Sequence, residues 1–196
     1  MVEDPRTVEQ DAVLGLAFNE LLEAPQPVSV GLLAESLGTP VSALEQQLSA
    51  LAEQGWISRD ADGAVVGSRG LSIEPTRHEL ELAQGRRFTW CAYDTLGIFG
   101  ALAVSGTIRS RTPLEQPLEL EVVDGRPVAA NDVVLFFPQR QVTSVVDEWC
   151  PLANFFLDAD AARTWAAAND VQGQVLTLEQ AIDRGTADWR DCCDSC

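Results

Sequence analysis

The sequence predicts an α+β fold: an N-terminal winged-helix-like three-helix module followed by a mixed α/β core with an antiparallel-rich sheet. Three observations predict it. Apolar residues recur at helical spacing through residues 7–56. A hairpin signal follows at 56–66. Beyond residue 86, short strand-like runs and turn residues alternate with amphipathic stretches. A chain of 196 residues can bury one good core, or a small helical module beside a larger core. On this reading the module is 1–67, a connecting segment 68–85, the core 86–186 and a cysteine-rich tail 187–196.

In the first helix Val13, Leu14, Ala17 and Leu21 share a face, and Pro25 and Pro27 close it. The second runs from about Val28 to Leu37 and stops at Gly38. The third opens with Thr39 as N-cap and Pro40 at the first helical position, where its missing N–H costs nothing. Leu44, Leu48 and Leu51 form its buried stripe and Gly55 ends it. The strand-turn-strand pattern then reads Trp56–Arg59, Asp60-Ala61-Asp62-Gly63, Ala64–Val66.

Residues 68–85 are polar and pass the chain across, with Leu71 and Ile73 on a short strand and His78 reading as a solvated surface residue. Phe88 to Val104 is long enough to favour a helix, although Gly97 and Gly100 weaken it by about 1 kcal/mol each relative to Ala. Those glycines suit close approach of another backbone. Strand-like segments follow at Thr107–Arg111, Leu118–Val123 and Asp132–Phe137, with turns at Asp124-Gly125 and Ala130-Asn131-Asp132. Val142–Val146 fits a strand or a helical turn, and Cys150–Leu157 a strand edge, because Pro151 cannot donate to a ladder. Asp158–Asn169 is an amphipathic helix and Gly173–Leu176 a short strand. A last helix spans Thr177–Arg184, with Thr177 and Gln180 spaced as a capping box.

Charge narrows the partners. The net charge is −17, from 30 acidic residues against 13 basic ones, all of them Arg. Residues 1–60 hold ten carboxylates and two arginines, and the third helix has no basic residue. A DNA reader needs cations to displace counterions from phosphates, so no nucleic acid partner is expected. No apolar run approaches the roughly 18–20 residues that span a bilayer, so no membrane partner is expected either. Met1-Val2-Glu3-Asp4-Pro5 lacks the basic and apolar regions of a signal peptide, and the expected location is cytoplasmic. There the five cysteines stay thiols. One histidine cannot build a multi-His zinc site.

Cys91 and Asp94 stand three apart, which on a helix puts them on one face. Apolar neighbours would raise the Asp94 pKa, and a neutral carboxyl beside a thiolate can deliver a proton. Thiolates select soft metals. Spacing alone leaves open an Asp94 merely bonded to nearby backbone or to Thr95, and a Cys150 that is only a small buried hydrophobe. Trp90-Cys91-Ala92-Tyr93-Asp94-Thr95-Leu96, however, resembles the Cys-Ala-x-Asp-Thr-Leu signature of the organomercurial lyase (MerB) family. Cys150, about 60 residues on and just before Asn154-Phe155-Phe156 and an amphipathic helix, resembles that family's second cysteine. The chain departs from the family in having Pro151, Leu152 and Ala153 where a further Cys and a His are frequent.

The resemblance implies protonolysis of a carbon–mercury bond. Cys91 and Cys150 act as thiolate ligands, Asp94 is the proton donor, and Hg(II) stays on Cys91, Cys150 and Asp94 as product. It implies no organic cofactor, an organomercurial substrate, low-molecular-weight thiols for release, and a mercuric reductase as recipient. Arg86, Arg87 or a backbone N–H is available to lower a thiol pKa, and the sequence does not choose among them. Cys192, Cys193 and Cys196 are read as a relay that hands mercury on. The rival readings are a soft-metal-binding or metal-sensing winged-helix protein, a lyase relative acting on another organometallic, and a thiol redox protein.

Overall fold

The computed structural model describes residues 6–128 and 132–193, with side chains as far as Arg190. Helix α1 (Val8–Glu23) starts at Thr7, whose hydroxyl and the Gln10 side chain cap each other's backbone N–H. Its Val13, Leu14, Ala17, Phe18 and Leu21 are buried. Helix α2 (Val30–Leu37) is capped by Ser29 and stops at Gly38, which takes the left-handed conformation a C-terminal glycine permits. It begins two residues later than the apolar pattern suggests. Val28 is drawn instead into an isolated antiparallel bridge with Val65. Helix α3 (Val41–Glu53) buries Leu44, Leu48 and Leu51. Pro40 itself occupies its N-cap, and the Thr39 hydroxyl turns back to the Leu37 carbonyl, so the expected cap is shifted by one residue.

Strands β1 (Ile57–Arg59) and β2 (Val65–Ser68) form the hairpin, its turn held by the Asp60 carboxylate on the Asp62 and Ala64 N–H groups. The sheet does not stop there. Strands β3 (Leu71–Ser72), β4 (His78–Leu82) and β5 (Gly85–Thr89) continue it. Helix α4 (Ala92–Leu102) interrupts, and β6 (Gly106–Arg111), β7 (Pro117–Val123) and β8 (Arg126–Pro127) complete it. The eight strands lie in the order β1-β2-β3-β5-β4-β6-β7-β8, all antiparallel. Residues 88–89, expected to open a helix, close β5 instead.

The alternation His78-Glu79-Leu80-Glu81-Leu82 puts His78, Leu80 and Leu82 inside. His78 is thus not a solvated residue. It is 1% exposed, with Nδ1 2.7 Å from the Ser110 hydroxyl directly across the ladder. Burial, with help from neighbouring Arg77, pushes its pKa down to about 3.

A second sheet, ordered β10-β9-β11, combines β9 (Val134–Pro138), β10 (Asn154–Phe156) and β11 (Gly173–Thr177), with helix α5 (Ala159–Ala168) packed against it. Between β9 and β10 the chain forms a π-helical turn, Val145–Trp149, and a 3-10 turn, Cys150–Leu152. Helix α6 (Leu178–Cys193) begins at the Thr177/Gln180 capping box. It then runs well past Arg184 into the segment read as a tail. It crosses α4 closely: a Cβ on Gly185 would stand 2.8 Å from the Gly97 Cα, and one on Gly97 would stand 2.4 Å from the Trp189 ring. The α4 glycines are therefore contact points. Among the described residues no helix is long and apolar enough to cross a membrane.

Candidate active site

Cys91 is not on the helix face expected for it. It is the N-cap of α4, in extended backbone (φ −147°, ψ 172°), and Asp94 is the third helical residue. The three-residue spacing therefore makes a capping box. The Cys91 N–H donates to Asp94 Oδ2 at 2.9 Å, and the Asp94 N–H points at the Cys91 sulfur. The Thr89 hydroxyl donates to the Cys91 carbonyl at 2.9 Å, fixing the exit from β5.

Cys150 arrives from the other direction. The Ala92 N–H donates to the Ala153 carbonyl at 3.1 Å, tying the start of α4 to the turn that carries Cys150. The chain just after α3 supports that turn from behind. The Val145 N–H donates to the Gln54 carbonyl at 3.0 Å, and Gly55 (φ +72°) lies so close that a Cβ there would be 2.7 Å from the Val145 nitrogen. A larger residue at 55 would push the Cys150 turn away.

One ligand atom from each of Cys91, Asp94 and Cys150 falls within 4.8 Å of the others, and all three residues are buried. Both cysteines are free thiols. Burial, foremost, pushes the Cys91 thiol well above the ordinary thiol range, reinforced by Cys150 and Asp94. At Cys150 the hydrogen bond with Cys91 lowers the pKa. Burial and the negative charges of Asp94 and Asp147 outweigh it, so this thiol too is held neutral. Burial raises Asp94 to about 7 against hydrogen bonds from Cys91 and the Trp90 backbone. Near neutral pH the carboxyl is balanced between its two forms. It can accept a proton and give it back.

A cavity of about 660 Å3 opens above this cluster, with Asp94 at its floor and the thiols outside its lining. Its aromatic walls pack edge to face: Tyr93 stands 5.1 Å from Phe137, 5.8 Å from Trp149 and 5.5 Å from Trp189, centroid to centroid. Tyr93 is anchored by its hydroxyl, which donates to Asp188 at 2.6 Å. Gly70 (φ +89°) lies against the Asp94 carboxyl, and a Cβ there would be 2.5 Å from Asp94 Cγ. Gly70, Tyr93, Trp149 and Trp189 escape sequence reasoning, because each looks like an ordinary turn or core residue until the cavity exists.

Neither Arg86 nor Arg87 serves the thiols. Arg87 is buried and caps the C-terminus of α1 through the Leu21 and Leu22 carbonyls, at 2.7 and 2.6 Å. Arg86 pairs with Glu79. Cys192 and Cys193 end α6, but their side chains, and all of Cys196, lie outside the described residues.

Two buried thiols and one buried carboxyl within 4.8 Å of one another make a ligand set suited to a soft, thiophilic metal, and the carboxyl is of a kind that can carry a proton. The family model described as alkylmercury lyase (MerB) matches residues 71–189, and the chain belongs to this family. An alkylmercury lyase of Staphylococcus epidermidis is 30% identical over 172 residues, covering 85% of this chain and 76% of that protein. One from Streptomyces lividans is 30% identical over 173 residues, covering 85% and 77%. One from Pseudomonas putida is 26% identical over 175 residues, covering 82% and 76%. The crystal structure of the mercury-bound form of MerB2 has a TM-score of 0.88 at 25% identity, covering 96% of this chain and 93% of that one.

Proposed function

We propose that this chain cleaves the carbon–mercury bond of organomercurials by protonolysis, releasing a hydrocarbon and retaining Hg(II) on Cys91 and Cys150. The observation that carries this reading is the buried cluster itself, in which one ligand atom from each of Cys91, Asp94 and Cys150 lies within 4.8 Å of the others. The substrate enters as R–Hg–SR′. One thiol exchanges onto mercury, and R′SH leaves with its proton. The second thiol gives its proton to the Asp94 carboxylate as its sulfur bonds to mercury. Asp94 then returns that proton to the carbon, the carbon–mercury electron pair becomes the C–H bond, and R–H departs. The carboxylate is regenerated.

The low solvent access supports the same reading. A buried thiol resists ionisation until a soft metal arrives, and a buried acid stays protonated long enough to react. Release of Hg(II) then requires further thiols, because sulfur-bound mercury exchanges by thiol attack. We assign that role to external low-molecular-weight thiols, with Cys192, Cys193 and Cys196 as a relay toward them or toward a mercuric reductase.

The test is incubation of the protein with ethylmercury and excess thiol, measuring hydrocarbon and Hg(II). The expected result is one hydrocarbon per Hg(II). Stoichiometric mercury uptake without hydrocarbon would instead identify a binding protein. Asp94→Ala is expected to keep mercury binding and lose hydrocarbon release. Truncation after Asp191 is expected to slow Hg(II) transfer to added thiol, and unchanged transfer removes the relay.

A further inference from the structure

The cavity above the thiols carries a charge unlike that of the chain. The protein has 30 acidic residues and 13 arginines. Yet four of those arginines, Arg6, Arg69, Arg140 and Arg184, line this one cavity, against only two carboxyls, Asp94 and Asp188. Neither carboxyl offsets them fully. Asp94 is half neutral at its floor, and Asp188 accepts the Tyr93 hydroxyl.

The four arginines are not equivalent. Arg6 and Arg69 share Asp11, at 3.4 and 3.6 Å. Among the described residues no carboxylate lies within ion-pair distance of Arg140 or Arg184. The Arg184 guanidinium carbon sits over the Phe137 ring, 3.8 Å from its centroid, which holds the charge at the cavity rim. Arg140 follows three residues later, exposed, where the chain leaves β9. The charge of Arg140 is felt at Glu148, which lies outside the cavity lining. In a chain this acidic, however, two rim arginines with no close ion pair among the described residues are a local reversal of the field.

We propose that Arg140 and Arg184 form an anion-reading rim that binds a carboxylate on the thiol ligand of the incoming mercury adduct. The preferred substrate is an organomercury thiolate whose thiol bears a carboxylate. This rests on the lyase reading above and extends it to the leaving group. The overall charge of −17 would repel such an adduct, and the rim supplies attraction where it must dock. The aromatic walls below take the organic group. The exchange is R–Hg–S–R′ plus a site thiol giving R–Hg–S–Cys plus R′–SH, so a carboxylate on R′ is held at the mouth while mercury moves inward.

The experiment compares ethylmercury adducts of mercaptoacetate, 2-mercaptoethanol and cysteamine as substrates. In the wild type the mercaptoacetate adduct should show a KM about three- to tenfold below that of the 2-mercaptoethanol adduct, the gap closing at high salt. The cysteamine adduct should have the highest KM. The ratio should fall toward one in Arg140→Gln/Arg184→Gln and return in the corresponding double Lys variant. No preference in the wild type, or a preference that survives the double Gln variant, overturns the proposal. A second arm compares phenylmercury with 4-carboxyphenylmercury, both with 2-mercaptoethanol. If only the carboxyphenyl group gains, the rim reads the organic group and the assignment to the thiol is overturned. Thiol release on mixing each adduct with Asp94→Ala measures docking without cleavage. The same preference there, with no hydrocarbon from the wild type on any adduct, would sink the lyase reading and leave the rim standing.

Discussion

Replacing Asp94 by Asn should stabilise this protein at alkaline pH while removing its proposed activity. Folding raises the Asp94 pKa from an ordinary 3.8 to about 7. Between those values the folded protein holds a proton that the unfolded chain has lost, so stability falls as pH rises, by about 1.4 kcal/mol per unit for this group. Below 3.8 both states are protonated and no penalty exists. Above 7 the full penalty applies, on the order of 4 kcal/mol. Asn is neutral throughout, and its carbonyl can still accept the Cys91 N–H that Asp94 Oδ2 accepts at 2.9 Å. Some of the gain is lost because the amide N–H2 must find a partner in the same small space. A net stabilisation of about 1–3 kcal/mol at pH 8 remains, vanishing by about pH 4. Urea denaturation of both proteins at several pH values between 4 and 8 measures it, and the difference cancels every other titrating group. With ordinary urea slopes the midpoint should rise by roughly 1 M at pH 8. A difference that is flat across this range would refute the claim that burial holds the carboxyl half neutral.

Gly70→Ala should damage turnover more than mercury binding. Its methyl would stand 2.5 Å from Asp94 Cγ, at a φ of +89° that an L side chain resists, so the carboxyl must move while the thiols need not. A displacement near 1 Å is expected to lower kcat roughly a hundredfold, with Hg(II) affinity changed less than about threefold; wild-type turnover would remove Gly70 from the site. His78→Asn tests the opposite pH sense. The folded state holds His78 neutral down to about pH 3. The wild type therefore loses stability as pH falls from 6.5 toward 3, by on the order of 5 kcal/mol in total. The variant should be flatter over that interval in urea midpoints, and a parallel pair of curves would exclude His78 as the source.

Much of the helix and strand order was legible because it rests on periodicity and punctuation. The apolar stripe of α3, the Asp60–Gly63 turn, the alternation in β7 and the Thr177/Gln180 box are all local signals. The β4–β5 hairpin carried its alternation too, but the charged Glu79, Glu81, Arg86 and Arg87 made 78–87 look like a solvated connection. Only the neighbouring strand β6 explains it. Glu79 and Glu81 face out to Arg109, while His78 and Leu80 turn in against Ser110 and Ile108. The helix expected at Phe88 failed because apolar character does not separate a buried strand end from a buried helix start.

The candidate site divides along the same line. Cys91 and Asp94 are three residues apart, so any local structure at that point had to hold them together. The motif around them was readable, although its form as a capping box was not. Cys150 is separated from them by more than fifty residues. Its approach depends on the Ala92–Ala153 hydrogen bond and on Gln54 and Gly55 bracing the turn before it. The raised pKa of Asp94 was foreshadowed by its apolar neighbours, but the aromatic cavity, the arginines on its rim and the neutral state of the thiols belong to tertiary structure alone. Sequence determined the chemical kinds of group present and the pair bound by short-range geometry. Packing decided which distant thiol joins that pair and how little water reaches it, because burial and proximity across the chain are properties of the assembled core.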